Sequence, residues 1–289
     1  MTDVRACFDT GGVNMLEIPE SWTISRQLSN EISGKHIESA VAGHSPHKFA
    51  FYSGDPAVYN ELLEGKSVVR AKAVAGFVEI EAGDSRILFG DGANIRYHEP
   101  GSPLPEKHQL LIGFDDGSAI TCTIQMYGGI WAFAEGQIDN KYYRMAQEKP
   151  SPLADSFTNE YFRSIALGEK NSLSIKALLA TEQRIPGLGN GVLQDILFNA
   201  GVNPKMKIGN LDSGELDKLF SCIRDTLRLM ADQGGRDTEK DLYGREGGYR
   251  TVMSAKNLGS PCPKCGEAIV RQAYMGGNVY FCPSCQKLR

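Results

Sequence analysis

The chain has 289 residues, enough for two or three domains with ample core. Its 41% hydrophobic and 23% charged residues are ordinary for a water-soluble globular protein, and no stretch approaches the length of a membrane span, so no membrane partner is expected. The formal net charge of −4 hides an asymmetry: Asp241–Arg289 carries seven Lys/Arg against three Asp/Glu, while residues 1–240 carry 24 against 32. A basic end on an acidic body favours local contact with a polyanion over tight, indiscriminate nucleic-acid binding.

Residues 1–14 show no periodicity and read as an N-terminal extension. From Pro19 a helix is expected, because Ile24, Leu28 and Ile32 recur every four residues and Gly34 can end it. From Ser67 to Trp131 the texture alternates. Phe77–Glu81, Arg86–Phe89, His108–Phe114 and Ala119–Ile124 read as strands, the last two joined by an Asp115-Asp-Gly-Ser118 turn. The segment 15–138 is therefore expected to be an antiparallel β-sandwich or barrel with one flanking helix, the sandwich being preferred. Residues 139–155 are polar, contain Pro150 and Pro152, and read as a patternless linker.

Helical texture fills 156–240. Asp155–Phe162 offers a cap and a helix start; Leu173–Thr181, Val192–Ala200 (stopped by Gly201) and Leu211–Met230 follow. Between the second and third of these helices lies Ile185-Pro-Gly-Leu-Gly-Asn190. Gly187 and Gly189 permit positive φ, and the next helix would point its N-terminal N–H groups outward. Such a turn can cradle a phosphate, with Asn190 as an extra donor. Taken alone, the segment reads more simply as a tight helix–helix turn.

The tail, 241–289, carries Cys262-Pro-Lys-Cys265 and, sixteen residues on, Cys282-Pro-Ser-Cys285. Two such knuckles place four thiolates at tetrahedral positions, which suits one structural Zn2+ with no open coordination site. Two disulfides are the alternative. The lack of a signal peptide and three further scattered cysteines (Cys7, Cys122, Cys222) argue for a reducing, cytoplasmic setting and against them. The expected fold class is α+β: sandwich, helical domain and four-cysteine zinc finger.

Taken in order, these parts resemble the formamidopyrimidine-DNA glycosylase/endonuclease VIII family. Met15-Leu-Glu-Ile-Pro-Glu20 is similar to that family's N-terminal Met-Pro-Glu-Leu-Pro-Glu. The helix–two-turn–helix segment around Ser174-Ile-Lys176 and Gly187-Leu-Gly-Asn190, then Tyr243-Gly-Arg-Glu-Gly247 and the finger, follow in the family's order. The resemblance implies a DNA-repair protein that binds damaged or distorted DNA. In the family a terminal proline amine forms a Schiff base with the sugar of a flipped, damaged nucleotide, and an adjacent glutamate acts as general acid/base.

The chain departs from that pattern at the critical place. Leu16 stands where the proline should be, and fourteen residues precede Met15, so the aligned nitrogen is an amide. Glu17 and Glu20 match the family's glutamates. Glu17 is the candidate catalytic residue, with a solvated carboxylate or helix-start role equally weighted, and Glu20 reads as a helix cap. The DNA-reaching lysine aligns with Gly76, with Lys72 nearby. The wedge residues align with Gly90-Asp-Gly-Ala93 and Gln125-Met-Tyr127, and the finger's arginine aligns with Gly277, beside Asn278. What survives is a phosphate-gripping set: Lys176, Gly187, Gly189 and Asn190, with Tyr243 and Arg245 added. The implied function is binding of damaged DNA with the lyase reaction lost. The alternative is a non-catalytic DNA- or RNA-binding protein. No nucleotide cofactor is implied, and a bacterial chain would be nucleoid-associated.

Overall fold

Glu17, in extended conformation, precedes the first helix, and a proline in its first turn presets the helical φ. This helix, α1 (Ile18–Ile32), buries Ile24, Leu28 and Ile32 as their spacing predicts, and ends before Gly34, which adopts φ +85°. In the computed structural model the described residues are 16–289; the extension expected over 1–14, and Met15, lie outside them.

The strands that follow form one seven-stranded sheet. They are β1 (Ile37–Ala42), β2 (Ala50–Phe51), then after a short helix α2 (Tyr59–Leu63) β3 (Val68–Val74), β4 (Phe77–Ala82), β5 (Ser85–His98), β6 (Leu110–Phe114) and β7 (Ala119–Ala134). The order is β1-β6-β7-β5-β4-β3, antiparallel throughout, and β2 adds to β7 in parallel at Gly128 and Gly129. The long strands β5 and β7 pair along their length but shift register between Asp91 and Ala93, which face Gly128 and Ile124. A bulge bends the ribbon there. The two wings then share one core: Ile112 and Phe114 from β6, Val78 and Ile80 from β4, and Ile24 and Leu28 from α1. This is the expected sandwich, made from a single folded sheet. Strands β1 and β2 precede the alternating stretch and were not legible in the sequence; β3 lies inside that stretch but was not singled out as a strand.

The segment 139–155, expected to be patternless, contains helix α3 (Lys141–Glu148). Asn140 caps it, its Oδ1 accepting from the amides of Tyr142 and Tyr143 at 3.0 and 3.1 Å. Tyr143 packs on Leu88 and Phe133 on the outer face of the sheet and donates its hydroxyl proton to the buried carboxylate of Glu79. One aromatic anchor and one alanine make no apolar stripe, so periodicity could not reveal the helix.

The helical half comprises α4 (Asn159–Leu167), α5 (Ile175–Ala180), α6 (Asn190–Ala200) and α7 (Ser213–Asp232). Thr158 caps α4, an Asp212–Glu215 capping box starts α7, and Gly201, left-handed at φ +76°, ends α6. Ile18 belongs to this second core, whereas Leu16 and Ile24 belong to the first. The N-terminal end of α1 therefore straddles both halves. The chain closes with the hairpin β8 (Val270–Tyr274) and β9 (Gly277–Phe281), flanked by the cysteine knuckles.

Candidate nucleic-acid interface

The glycine turn is the joint between the two halves. The Leu16 amide donates to the carbonyl of Asp91 in the β5 bulge at 3.1 Å, and the Ile18 amide donates to Gly187 O at 3.1 Å. Leu16 itself is buried in the first core. Glu17 follows with a carboxylate turned onto the start of α6: Oε1 accepts from the Gly191 amide at 2.9 Å and Oε2 from the Val192 amide at 2.7 Å. A carboxylate at a helix N-terminus satisfies orphan donors and meets the positive end of the helix dipole.

Arg236 completes this cluster. Its Nε and Nη2 each approach Glu20 at 2.9 Å, and Nη1 lies 3.5 Å from Glu17 Oε2. All three side chains are buried. Burial pushes the Glu17 pKa up; Arg236 opposes this, Glu20 adds to it, and the two helix amides oppose it. Burial also works against the charge on Arg236, but Glu17, Glu20 and Glu239 hold its pKa well above the ordinary value. The local glycines are required by close approach. A Cβ on Gly189 would sit 2.3 Å from Glu17 Oε1, and one on Gly191 would sit 1.7 Å from Arg236 Nη1. Arg236 was missed in the sequence because nothing periodic surrounds it; it simply follows the Gly234-Gly235 pair.

Beside this cluster, a cleft bounded by Leu16, Glu20, Ala93 and Arg96 offers about 10 Å³. That is at most the space of one water, against about 300 Å³ or more for an ordinary ligand pocket.

A second convergence lies on the other side of the turn. Lys176 Nζ donates to Tyr274 O at 2.6 Å, and Asn190 Nδ2 donates to Asn278 O at 3.0 Å. Both nitrogens lie 3.7 Å from where a Cβ on Gly277 would be. Burial lowers the Lys176 pKa to about 8. Gln194 fastens the finger hairpin to α6: its amide donates to Asn278 O at 3.2 Å and its carbonyl accepts from the Tyr280 amide at 3.0 Å. The expectation of outward N–H groups holds in part. Those of Gly191 and Val192 are taken by Glu17, while those of Gly189 and Asn190 have no partner among the described residues.

Other candidates are placed elsewhere. The Tyr243 hydroxyl donates to Glu31 at 2.6 Å, and Arg245 stacks on the Tyr243 ring with its guanidinium 5.2 Å from the ring centroid. Glu31 is near the far end of α1, roughly 20 Å from Glu17 at the rise of an α-helix. Tyr243 and Arg245 therefore do not join Lys176 and Asn190. Lys72 is engaged by Glu81 and Glu79 at 2.6 and 3.2 Å. Gly76 packs on Gly187, and Gln125–Tyr127 lie on β7 between the register positions that flank the bulge.

The sulfurs of Cys262, Cys265, Cys282 and Cys285 lie within 4.8 Å of one another, with Cys265–Cys282 at 3.4 Å and Cys262–Cys285 at 3.9 Å. Metal–sulfur bonds of about 2.3 Å in a tetrahedron give edges of about 3.8 Å, so the four donors fit a metal ion. These cysteines are not paired as disulfides.

No family model matches the chain. Among curated relatives, the formamidopyrimidine-DNA glycosylase of Symbiobacterium thermophilum is 29% identical over 287 residues, covering 94% of this chain and 89% of that protein. The glycosylase of the same name from Brevibacillus brevis is 27% identical over 279 residues, covering 94% and 99%. Among solved structures, Lactococcus lactis Fpg in complex with abasic-site DNA superposes with a TM-score of 0.80 at 23% identity, covering 94% and 99%. MutM in complex with DNA containing carbocyclic 8-oxo-G gives 0.81 at 22%, with the same coverage. Along nearly the whole described chain the sequence is thus similar to curated formamidopyrimidine-DNA glycosylases, and the fold is that of the solved Fpg and MutM structures.

Proposed function

We propose that this protein is a DNA-repair protein of the formamidopyrimidine-DNA glycosylase type that binds damaged or distorted DNA without the family's Schiff-base lyase reaction. The observation that carries the reading is the state of Leu16. Its nitrogen is an amide that donates to Asp91 O at 3.1 Å, and its side chain is core. An amide lone pair is delocalised into its carbonyl and is not a nucleophile. DNA as the partner is supported by relatives named as DNA glycosylases and by the DNA-bound structures that share this fold. The grip falls to Lys176, Asn190 and the free amides of Gly189 and Asn190, which address phosphate and carry no base code. One structural zinc held by the four cysteines would fix the finger hairpin against α5 and α6.

A second reading, a binding protein with no base-excision chemistry and with RNA as a further partner, is favoured by one specific observation. Arg236 bridges Glu17 and Glu20, and both Glu17 oxygens are engaged, so no acid/base group is left facing solvent there. Incubating the full-length protein with abasic-site duplex and borohydride tests the lyase claim. No covalent adduct is expected, and a persistent adduct overturns it. A parallel base-release assay on oxidised-base duplexes separates the two readings: release retains a glycosylase, and no release with intact binding leaves the binding protein.

A further inference from the structure

The segment Asn203–Lys207 runs beside the start of α5. The Ile175 amide donates to Met206 O at 2.8 Å and the Lys176 amide to Pro204 O at 3.1 Å, while Ser174 and Lys207 pair as an antiparallel bridge. In an extended segment alternate residues face opposite sides. Met206 is buried in the helical core, whereas Lys205 is half-buried and Lys207 is exposed. Both lysines thus emerge next to Lys176.

Between them stands the finger hairpin. Lys205 Nζ is 5.4 Å and Lys176 Nζ 5.9 Å from the centroid of the Tyr274 ring, so two cations flank one aromatic at the hairpin's end. Ser174 Oγ, 3.5 Å from Met275 Sδ, helps to hold the hairpin tip there. Several other cations in this half are neutralised: Arg163 by Asp217, Arg184 by Glu169 and Arg236 by Glu20. Among the described residues neither Lys205 nor Lys207 has a carboxylate within ion-pair distance. Paired cations are spent, and unpaired ones clustered beside a polar, amide-rich turn create a local positive potential.

We propose that Lys205 and Lys207 form a second backbone-phosphate contact, continuous with Lys176 and Asn190 across the Tyr274 hairpin. A nucleic-acid strand bound at the glycine turn then runs over Tyr274 and along residues 203–207. This rests on the phosphate-binding reading of the turn. The contact is electrostatic and sequence-independent, and it lets an acidic chain hold DNA at one place only.

The test compares Lys205→Ala/Lys207→Ala with Lys176→Ala/Asn190→Ala in full-length, zinc-loaded protein. Binding is read by fluorescence anisotropy on a 25-base-pair duplex carrying a tetrahydrofuran abasic analogue, between 50 and 200 mM salt. Both pairs should weaken binding. For the Lys205/Lys207 pair the slope of log affinity against log salt should become shallower by about 1.8, equally on an undamaged duplex of different sequence. An unchanged slope for that pair, with binding weakened by Lys176→Ala/Asn190→Ala, overturns this contact alone. Binding unaffected by either pair overturns the reading of the turn and this contact with it. Neither Lys205 nor Lys207 belongs to a buried core cluster, and thermal melts of both variants check that they are folded.

Discussion

Gly187 approaches Gly76 so closely that a Cβ added to Gly187 would lie 2.3 Å from the Gly76 amide nitrogen. Gly187 also adopts φ +76°, a left-handed conformation that side chains disfavour. The contact ties the β3–β4 turn of the sandwich to the turn that opens α6. Backbone against backbone leaves no rotamer through which a clash could relax.

Gly187→Ala should therefore cost roughly 2–4 kcal/mol, from overpacking plus left-handed strain. Urea unfolding of the variant checks this, and a loss under 1 kcal/mol would show that the two halves adjust freely. The outcome should be loss of the joint between the halves as well as lower stability, because the Ile18 amide bonds the Gly187 carbonyl.

Purified protein should contain one equivalent of zinc. Its removal, by a strong chelator or by Cys282→Ser, should abolish DNA binding as well as lower the melting temperature. The reason is positional: Lys176 bonds Tyr274 O and Asn190 bonds Asn278 O, so a loosened hairpin releases both. Metal analysis with anisotropy reads the outcome. Binding that survives full demetallation would detach the finger from the grip.

The chain's general plan was legible where one physical signal dominates. Cysteine spacing, the four-residue recurrence of Ile24, Leu28 and Ile32, and the Gly187–Asn190 turn each reappear in three dimensions. What stayed hidden depends on partners distant in sequence. Arg236 matters only because folding brings it against Glu17 and Glu20, 219 and 216 positions away. Tyr243 and Arg245 are near the finger in sequence, yet they cluster at the other end of α1 through Glu31. Helix α3 hangs on one tyrosine, and short strands without alternation give no period to detect.

Lys176 makes DNA binding pH-dependent. Burial lowers its pKa to about 8, so above that pH the free protein carries a neutral amine there. A phosphate nearby favours the charged form, so binding takes up a proton. Affinity should be flat below about pH 7 and fall as pH rises through 8. The Lys176→Ala variant should bind more weakly at pH 7 and lose this dependence. Anisotropy between pH 6.5 and 9.5 reads both, and an identical pH profile in wild type and variant would remove Lys176 from the contact.

Glu17→Gln separates a structural carboxylate from a catalytic one. In the native protein the two oxygens accept from the Gly191 and Val192 amides, and Oε2 faces Arg236 at 3.5 Å. The glutamine amide keeps one acceptor but turns an NH2 donor against the other helix amide, and Arg236 loses one of its buried counter-charges. Loss of a buried charge-assisted hydrogen bond, with a donor left facing a donor, should cost about 2–3 kcal/mol. Glu20 still pairs with Arg236, which keeps the cost below that of stranding the guanidinium alone. Chemical denaturation should show this loss, while affinity for abasic-analogue DNA under folding conditions stays within about twofold, because the hydrogen bonds of Glu17 go to the Gly191 and Val192 amides and none goes to Lys176, Asn190 or the Gly189 amide. An unchanged denaturation midpoint together with loss of a base-release activity would instead return Glu17 to acid/base chemistry.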